Sequence, residues 1–247
     1  MTLNESQTVR EIAIANPASI RVFESLGIDY CCGGRRPLSD ACERANVPLA
    51  RVLQMLTGAG QSSALDETQW NDASLTEVMA HIVNKFHTAA RQDIVRLQPL
   101  LEKVCSKHGA AHPELLSIKE LFAAIAQELY PHMLKEEQFV FPYLQQMETA
   151  VLAQQPISPA FFGSVQTPIA KLLTDHDDAG ALTSKIRALS NNYAAPAAAC
   201  PSYLGLYQGL KEFERDLHQH VHLENNLLFP KALEMERSHK HAGCECG

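Results

Sequence analysis

One motif, present twice, restricts what this chain can fold into more than any other feature. His132-Met-Leu-Lys-Glu136-Glu-Gln-Phe-Val-Phe141-Pro142 recurs 88 positions later as His220-Val-His-Leu-Glu224-Asn-Asn-Leu-Leu-Phe229-Pro230. In each copy Glu follows His by four residues, and Phe-Pro begins five residues after the Glu. Residues four apart share a helix face one turn apart, so an imidazole nitrogen and a carboxylate reach one small site.

That face is otherwise apolar. Leu206, Leu210, Phe213, Leu217, His220, Glu224 and Leu227 fall at alternating steps of four and three, the stripe of a helix packed in a bundle. Leu121, Ile125, Leu129, His132, Glu136 and Phe139 follow the same rhythm. Charges buried in such a stripe are costly unless they are paired or hold a metal. Two further stripes each carry one histidine. Val83, His87, Ala90, Ile94, Leu97, Leu101 and Val104 form the first; Ile169, Leu172, His176, Ala179, Thr183 and Ile186 form the second. His87 precedes His132 by 45 positions and His176 precedes His220 by 44. The chain therefore reads as a duplicated helical hairpin, an all-α four-helix bundle with four His and two Glu at one level of its core.

Composition agrees with a globular protein and narrows its partners. The chain has 247 residues, 46% of them hydrophobic, enough for one large or two small domains. A net charge of -7 with no basic block argues against nucleic acid. No apolar run approaches the ~18 residues of a membrane span, and Met-Thr-Leu-Asn-Glu-Ser lacks the basic and apolar parts of a signal peptide. The expected location is cytoplasmic. Seven cysteines, an odd number with Cys31 adjacent to Cys32, read as reduced thiols and not as a disulfide framework.

In chain order, residues 1–58 read as a small helical domain. Short helices are expected over Thr8–Ala15 and Ala18–Leu26, the second ended by Gly27, and over Ser39–Ala45 and Pro48–Leu56. Between the pairs lies the turn-rich loop Asp29-Tyr-Cys31-Cys32-Gly33-Gly34-Arg-Arg-Pro37. Residues 59–73 form a polar linker. Residues 74–238 form the bundle, opened by Ser74 with Glu77 as a capping box. Helix one runs to about Lys107. Helix two runs from about Glu114 past Glu136, kinked or stopped by Pro142. Residues 145–166 are expected to be a long crossing connection. Thr167-Pro168 supplies an N-cap and first position for helix three. An Ala/Pro loop precedes helix four, from about Ser202 to Glu236. Residues 239–247 form a flexible His/Cys tail.

Four imidazoles and two carboxylates exceed the needs of one tetrahedral zinc. They divide over two ions, each taking two His nitrogens and one oxygen from each bridging Glu. A solvent-derived bridge would give roughly five ligands per ion and leave one position open for a small molecule. Mixed N/O ligation without thiolate suits iron or manganese, and copper and zinc would also bind. The Glu-x-x-His pair of ferritin-type sites is missing from the core helices. Asp175, Asp177, Asp178 and Glu128 are candidates to orient the imidazoles. His218 and His222, on another face of helix four, read as surface or supporting residues; His81, His108 and His112 read as structural.

With these residues in place the chain resembles the RIC family, the di-iron proteins that repair damaged iron–sulfur clusters. The resemblance runs from about Val9 to Leu233. It rests on Asp29-Tyr-Cys-Cys-Gly-Gly, His132-Met-x-Lys-Glu136-Glu-Gln, Asp175-His176-Asp-x-Ala-Gly and His220-x-x-Leu-Glu-Asn-Asn-x-Leu-Phe-Pro230. It implies a hemerythrin-like bundle behind an ScdA-type N-terminal domain, with two non-haem iron ions joined by an oxo or hydroxo bridge. It implies iron ligands at His87, His132, His176 and His220, with Glu136 and Glu224 bridging, and help from Cys31 and Cys32. It also implies damaged iron–sulfur proteins as partners, nitric oxide or dioxygen as small ligand, a homodimer, and action in the cytoplasm under nitrosative or oxidative stress. Cys244 and Cys246 fall outside the motifs.

Three functions compete on these residues. Iron donation for cluster repair leads, with Cys31 and Cys32 as an iron or electron relay in a solvent-accessible loop. A nitric oxide or dioxygen sink or sensor is the binding alternative, and nitric oxide reduction at the di-iron centre is the enzymatic one. A structural zinc bundle ranks below these.

Overall fold

The computed structural model describes residues 6–59 and 70–242; Cys244, Cys246 and most of the expected linker lie outside them. The fold is all-α. In the N-terminal part, α1 (Val9–Ala15), α2 (Ser19–Leu26), α3 (Leu38–Arg44) and α4 (Leu49–Ala59) enclose their own apolar cluster around Val9, Phe23, Leu38 and Val52. Thr8 and Glu11 close a reciprocal capping box on α1, which satisfies two otherwise orphaned backbone N–H groups. Gly27 ends α2 at φ 67°, a left-handed turn that costs glycine nothing.

Four rods form the bundle. The first joins α5 (Leu75–His81), a π-helical turn (Ile82–His87) and α6 (Thr88–His108). The second joins α7 (Glu114–Lys135), a π turn (Glu136–Val140) and α8 (Phe141–Leu152). The third is α9 (Gln166–Leu189). The fourth joins α10 (Pro201–Leu223), a π turn (Glu224–Leu228) and α11 (Phe229–Ala242). The α6 rod packs on α7 and α10, and α9 packs on the same two, so the hairpins close a four-rod ring. Among the described residues no helix is long and apolar enough to cross a membrane.

Pro142 does not stop its rod, which continues as α8. A proline ring clashes with the carbonyl four residues back in a regular α-helix. Here the turn ahead of each Phe-Pro is widened: the Phe141 N–H donates to the Glu136 carbonyl and the Phe229 N–H to the Glu224 carbonyl, five residues back. The extra residue in the turn rotates the remainder of the rod. Phe139, expected inside, is 49% exposed, and Val140 takes the core position at 3%. Other expectations also shift. Helix two continues to Leu152, so the crossing connection begins later than residue 145. Helix three starts at Gln166, ahead of Thr167-Pro168. Residues 239–242 continue α11 where a flexible tail was expected.

The bundle core is split in two by the histidine level. One cluster gathers Leu97, Leu101, Leu115, Phe122, Ile125 and Phe213; the other gathers Val78, Ile82, Leu144, Ile169, Leu172 and Leu228. Each such fully buried side chain contributes roughly 1.5–3 kcal/mol. Together they fix the rods on both sides of the polar layer and keep water from it.

Candidate metal centre

All six expected ligands meet in the layer between the two clusters. His87, His132, Glu136, His176, His220 and Glu224 are each at most 3% exposed. Two quartets form. In one, ligand atoms of His87, Glu136, His220 and Glu224 lie within 4.8 Å of one another; in the other, those of His132, Glu136, His176 and Glu224 do. Both carboxylates belong to both quartets. Glu136 reaches His87 Nε2 and His132 Nε2 at 3.3 Å each, and Glu224 reaches His176 Nε2 at 3.1 Å and His220 Nε2 at 3.0 Å. The Nε2 atoms of His87 and His220 stand 3.2 Å apart, those of His132 and His176 3.1 Å.

The duplication extends to what holds the rings. The residue after each shared Glu takes the imidazole from the neighbouring rod. His87 Nδ1–H donates to the Glu137 carboxylate at 2.6 Å, and His176 Nδ1–H donates to the Asn225 amide oxygen at 2.7 Å. The Phe of each Phe-Pro lies parallel to the same ring: Phe141 on His87 at 6.0 Å and Phe229 on His176 at 6.1 Å. One motif thus supplies a His/Glu pair, a tautomer-fixing partner, a stacking face and the widened turn that aims them. Sequence reasoning missed Glu137 and Asn225; their equivalent places in the two copies were the available signal. Of the orienting candidates only Asp175 meets a ring, His132 Nδ1 at 3.4 Å. Asp177, Asp178 and Glu128 are exposed.

These residues fit a cation. With the proton on Nδ1, the Nε2 atoms of His87 and His176 turn lone pairs toward carboxylate oxygens. Where His220 and His176 also carry a proton on Nε2, they hold the Glu224 carboxyl well below the usual carboxylate range, against burial. Glu136 is also held low, against burial and the charge of Glu224, by His132 and His87. All four oxygens of Glu136 and Glu224 are buried without a hydrogen-bond partner. Buried anions facing lone pairs are costly until positive charge sits between them.

The small domain docks beside the centre. Asp29 organises its cysteine loop by accepting the N–H groups of Cys31, Cys32 and Gly33. The loop is only partly solvent-accessible, where an accessible loop was expected: Cys31 is 4% exposed, with its thiol pushed well up by its Cys32 neighbour and burial. Cys32 is half-buried, its Sγ 3.5 Å from the His176 carbonyl oxygen. Asn226 donates to the Tyr30 carbonyl at 3.1 Å and to His222 Nδ1 at 2.9 Å, and Arg10 donates to the Asn226 carbonyl at 2.9 Å. His222 is therefore buried under Tyr30, not a surface residue, and His218 stands edge-on to the same ring.

Fold and site together define a hemerythrin-type bundle with a buried His/Glu cation site. Residues 78–232 match the Hemerythrin HHE cation binding domain, and residues 5–59 match ScdA_N, a domain of unknown function. The chain is 35% identical over 228 residues to the probable iron-sulfur cluster repair protein of Haemophilus influenzae, spanning 92% of this chain and 96% of that one. It is 34% identical over 231 residues to the iron-sulfur cluster repair protein YtfE of Pectobacterium atrosepticum, with 93% and 98% covered. It is 31% identical to the YtfE protein of Yersinia pestis, with 94% and 98% covered. The chain belongs to the hemerythrin HHE family, in the group with an ScdA_N domain that includes these proteins.

Proposed function

We propose that this chain repairs iron–sulfur clusters damaged by nitrosative or oxidative stress, and that its bundle (74–238) holds two iron ions for that purpose. His87 and His220 would hold one ion and His132 and His176 the other, with the carboxylates of Glu136 and Glu224 common to both sites. The observation that carries this reading is the set of four buried, unpartnered carboxylate oxygens, each pair shared between two imidazole quartets. The cluster-repair relatives supply the direction. When bound, the ion pair supplies exchangeable iron and one-electron redox change at each ion.

The protein's own residues do the rest. Imidazole and carboxylate hold ferrous iron less tenaciously than the thiolates of a cluster, which suits donation. Glu137 and Asn225 keep Nε2 of His87 and His176 free to ligate. The apolar clusters on both sides exclude water from the carboxylates. Cys32 and Cys31 would relay iron or electrons between the centre and a damaged iron–sulfur protein, a reading supported by the contact of Cys32 with the His176 carbonyl and of Cys31 with Cys32.

The test is metal analysis and Mössbauer spectroscopy of the protein purified without added metal, beside Glu136→Ala/Glu224→Ala. Two coupled irons per chain, lost in the variant, are expected. One zinc, or no metal in the wild type, refutes the metal-pair reading. Cys31→Ala/Cys32→Ala should keep both irons and lose repair of a nitrosylated cluster; unchanged repair refutes the relay.

A further inference from the structure

The two halves of the centre differ in what stands behind their rings, and the difference sits at equivalent positions of the repeat. Behind His87 is the side chain of Glu137, 2.6 Å away. Arg91 fixes that carboxylate with a 2.8 Å bond. Behind His176, at the same place one residue after the shared Glu, is the neutral amide of Asn225 at 2.7 Å. An ionised acceptor makes a hydrogen bond roughly twice as strong as a neutral one. It also pulls the Nδ1 proton harder, which makes Nε2 a more basic ligand. The carboxylate near His132 does not restore the balance. Asp175 is at 3.4 Å and is drawn outward by Lys171 at 2.8 Å and Lys135 at 3.7 Å.

We infer that Glu137 and Asn225 are positioning residues that make the halves unequal: the half built on His87 and His220 keeps its divalent cation, and the half built on His132 and His176 gives its cation up first. This rests on the metal-pair reading and names which of the two ions is the donated one. The donating half is also the one whose His176 backbone touches Cys32.

The full-length protein, loaded anaerobically with ferrous iron, is mixed with excess ferrous chelator, and release is followed by absorbance. Two phases of equal amplitude are expected. Glu137→Gln and Asn225→Asp keep side-chain shape and exchange only the charge. Partner changes of this kind shift metal affinity by about 10–100-fold. Glu137→Gln should speed the slow phase by that factor and merge it with the fast one; Asn225→Asp should slow the fast phase and leave the slow one. Phases that ignore both substitutions, or a fast phase that responds to Glu137→Gln, overturn the inference while two bound irons leave the metal-pair reading standing. A wild-type chain that binds fewer than two ions removes both. Far-UV circular dichroism of each variant, metal-free, checks that the bundle is intact.

Discussion

Glu148 should be among the most costly single truncations outside the metal layer. It lies twelve residues after Glu136, on α8, yet it serves the start of another rod. Its carboxylate accepts the Leu75 N–H at 2.6 Å, the Thr76 N–H at 2.9 Å and the Thr76 hydroxyl at 2.6 Å, and the side chain is 7% exposed. The two N–H groups belong to the first turn of α5 and have no partner inside the helix. Hydrogen bonds to a charged group contribute roughly 1.5–3 kcal/mol each, and a buried N–H left without a partner costs about 1–3 kcal/mol. The helix dipole at that end adds about 0.3–1 kcal/mol. These figures overlap and do not add, and water can reach the half-buried Thr76 side. Glu148→Ala should therefore cost about 3 kcal/mol, or roughly 6–12 °C in Tm for a domain of this size. Urea and thermal unfolding of the metal-free protein, followed by far-UV circular dichroism, measure it. Iron content should stay at the wild-type value, because the ligands sit a further three turns along each rod. A loss under about 1 kcal/mol would show that water substitutes for the carboxylate and that this cross-rod cap does not anchor α5.

Three further outcomes rest on contacts of the small domain and the buried thiols. Asn226→Ala leaves the Tyr30 carbonyl without its buried donor and should cost about 1–3 kcal/mol; it should also raise the reactivity of Cys31, read by thiol titration of the folded protein, and unchanged reactivity would separate Asn226 from docking. In the wild type Cys32 and Cys200, both half-buried, should react before Cys42 and Cys105, whose thiols are buried and pushed up by desolvation; mass spectrometry after brief alkylation gives the order, and early labelling of Cys105 would contradict the packing. In Gly34→Ala the new Cβ would fall 2.5 Å from the Tyr30 carbonyl oxygen, a backbone atom that cannot step aside. The loop must then shift, at about 1–3 kcal/mol, and a Tm equal to wild type would refute the clash.

Much of the centre was readable from the chain alone. The i, i+4 pairs, their placement in apolar stripes and their duplication located the six His and Glu side chains of the buried layer and the bundle that gathers them, because helical periodicity is a local property and a repeat doubles its signal. Ser74 with Glu77 likewise signalled its own helix start through local capping chemistry. What failed was non-local. Helix three begins at Gln166, not at Thr167-Pro168: Glu236 on α11, twelve residues after Glu224, receives the Ser164 hydroxyl and the Val165 N–H there. A strict three-four rhythm placed Phe139 inside, but the widened turn ahead of Pro142 turned it to solvent. The same turn aligns Glu137 and Asn225 with rings on another rod, which no spacing along one helix reveals. Burial of the cysteine loop also depends on surfaces more than 140 residues apart in sequence, Cys32 against His176.

The sequence by itself therefore determined the all-α class, the repeat and which His and Glu side chains form the buried layer, since those arise from side-chain chemistry at fixed helical offsets. Only the tertiary structure decided which imidazoles share a quartet, which group stands behind each ring and where the small domain docks, because each of those is a contact between rods whose rotation is set by packing and by one extra residue in a turn.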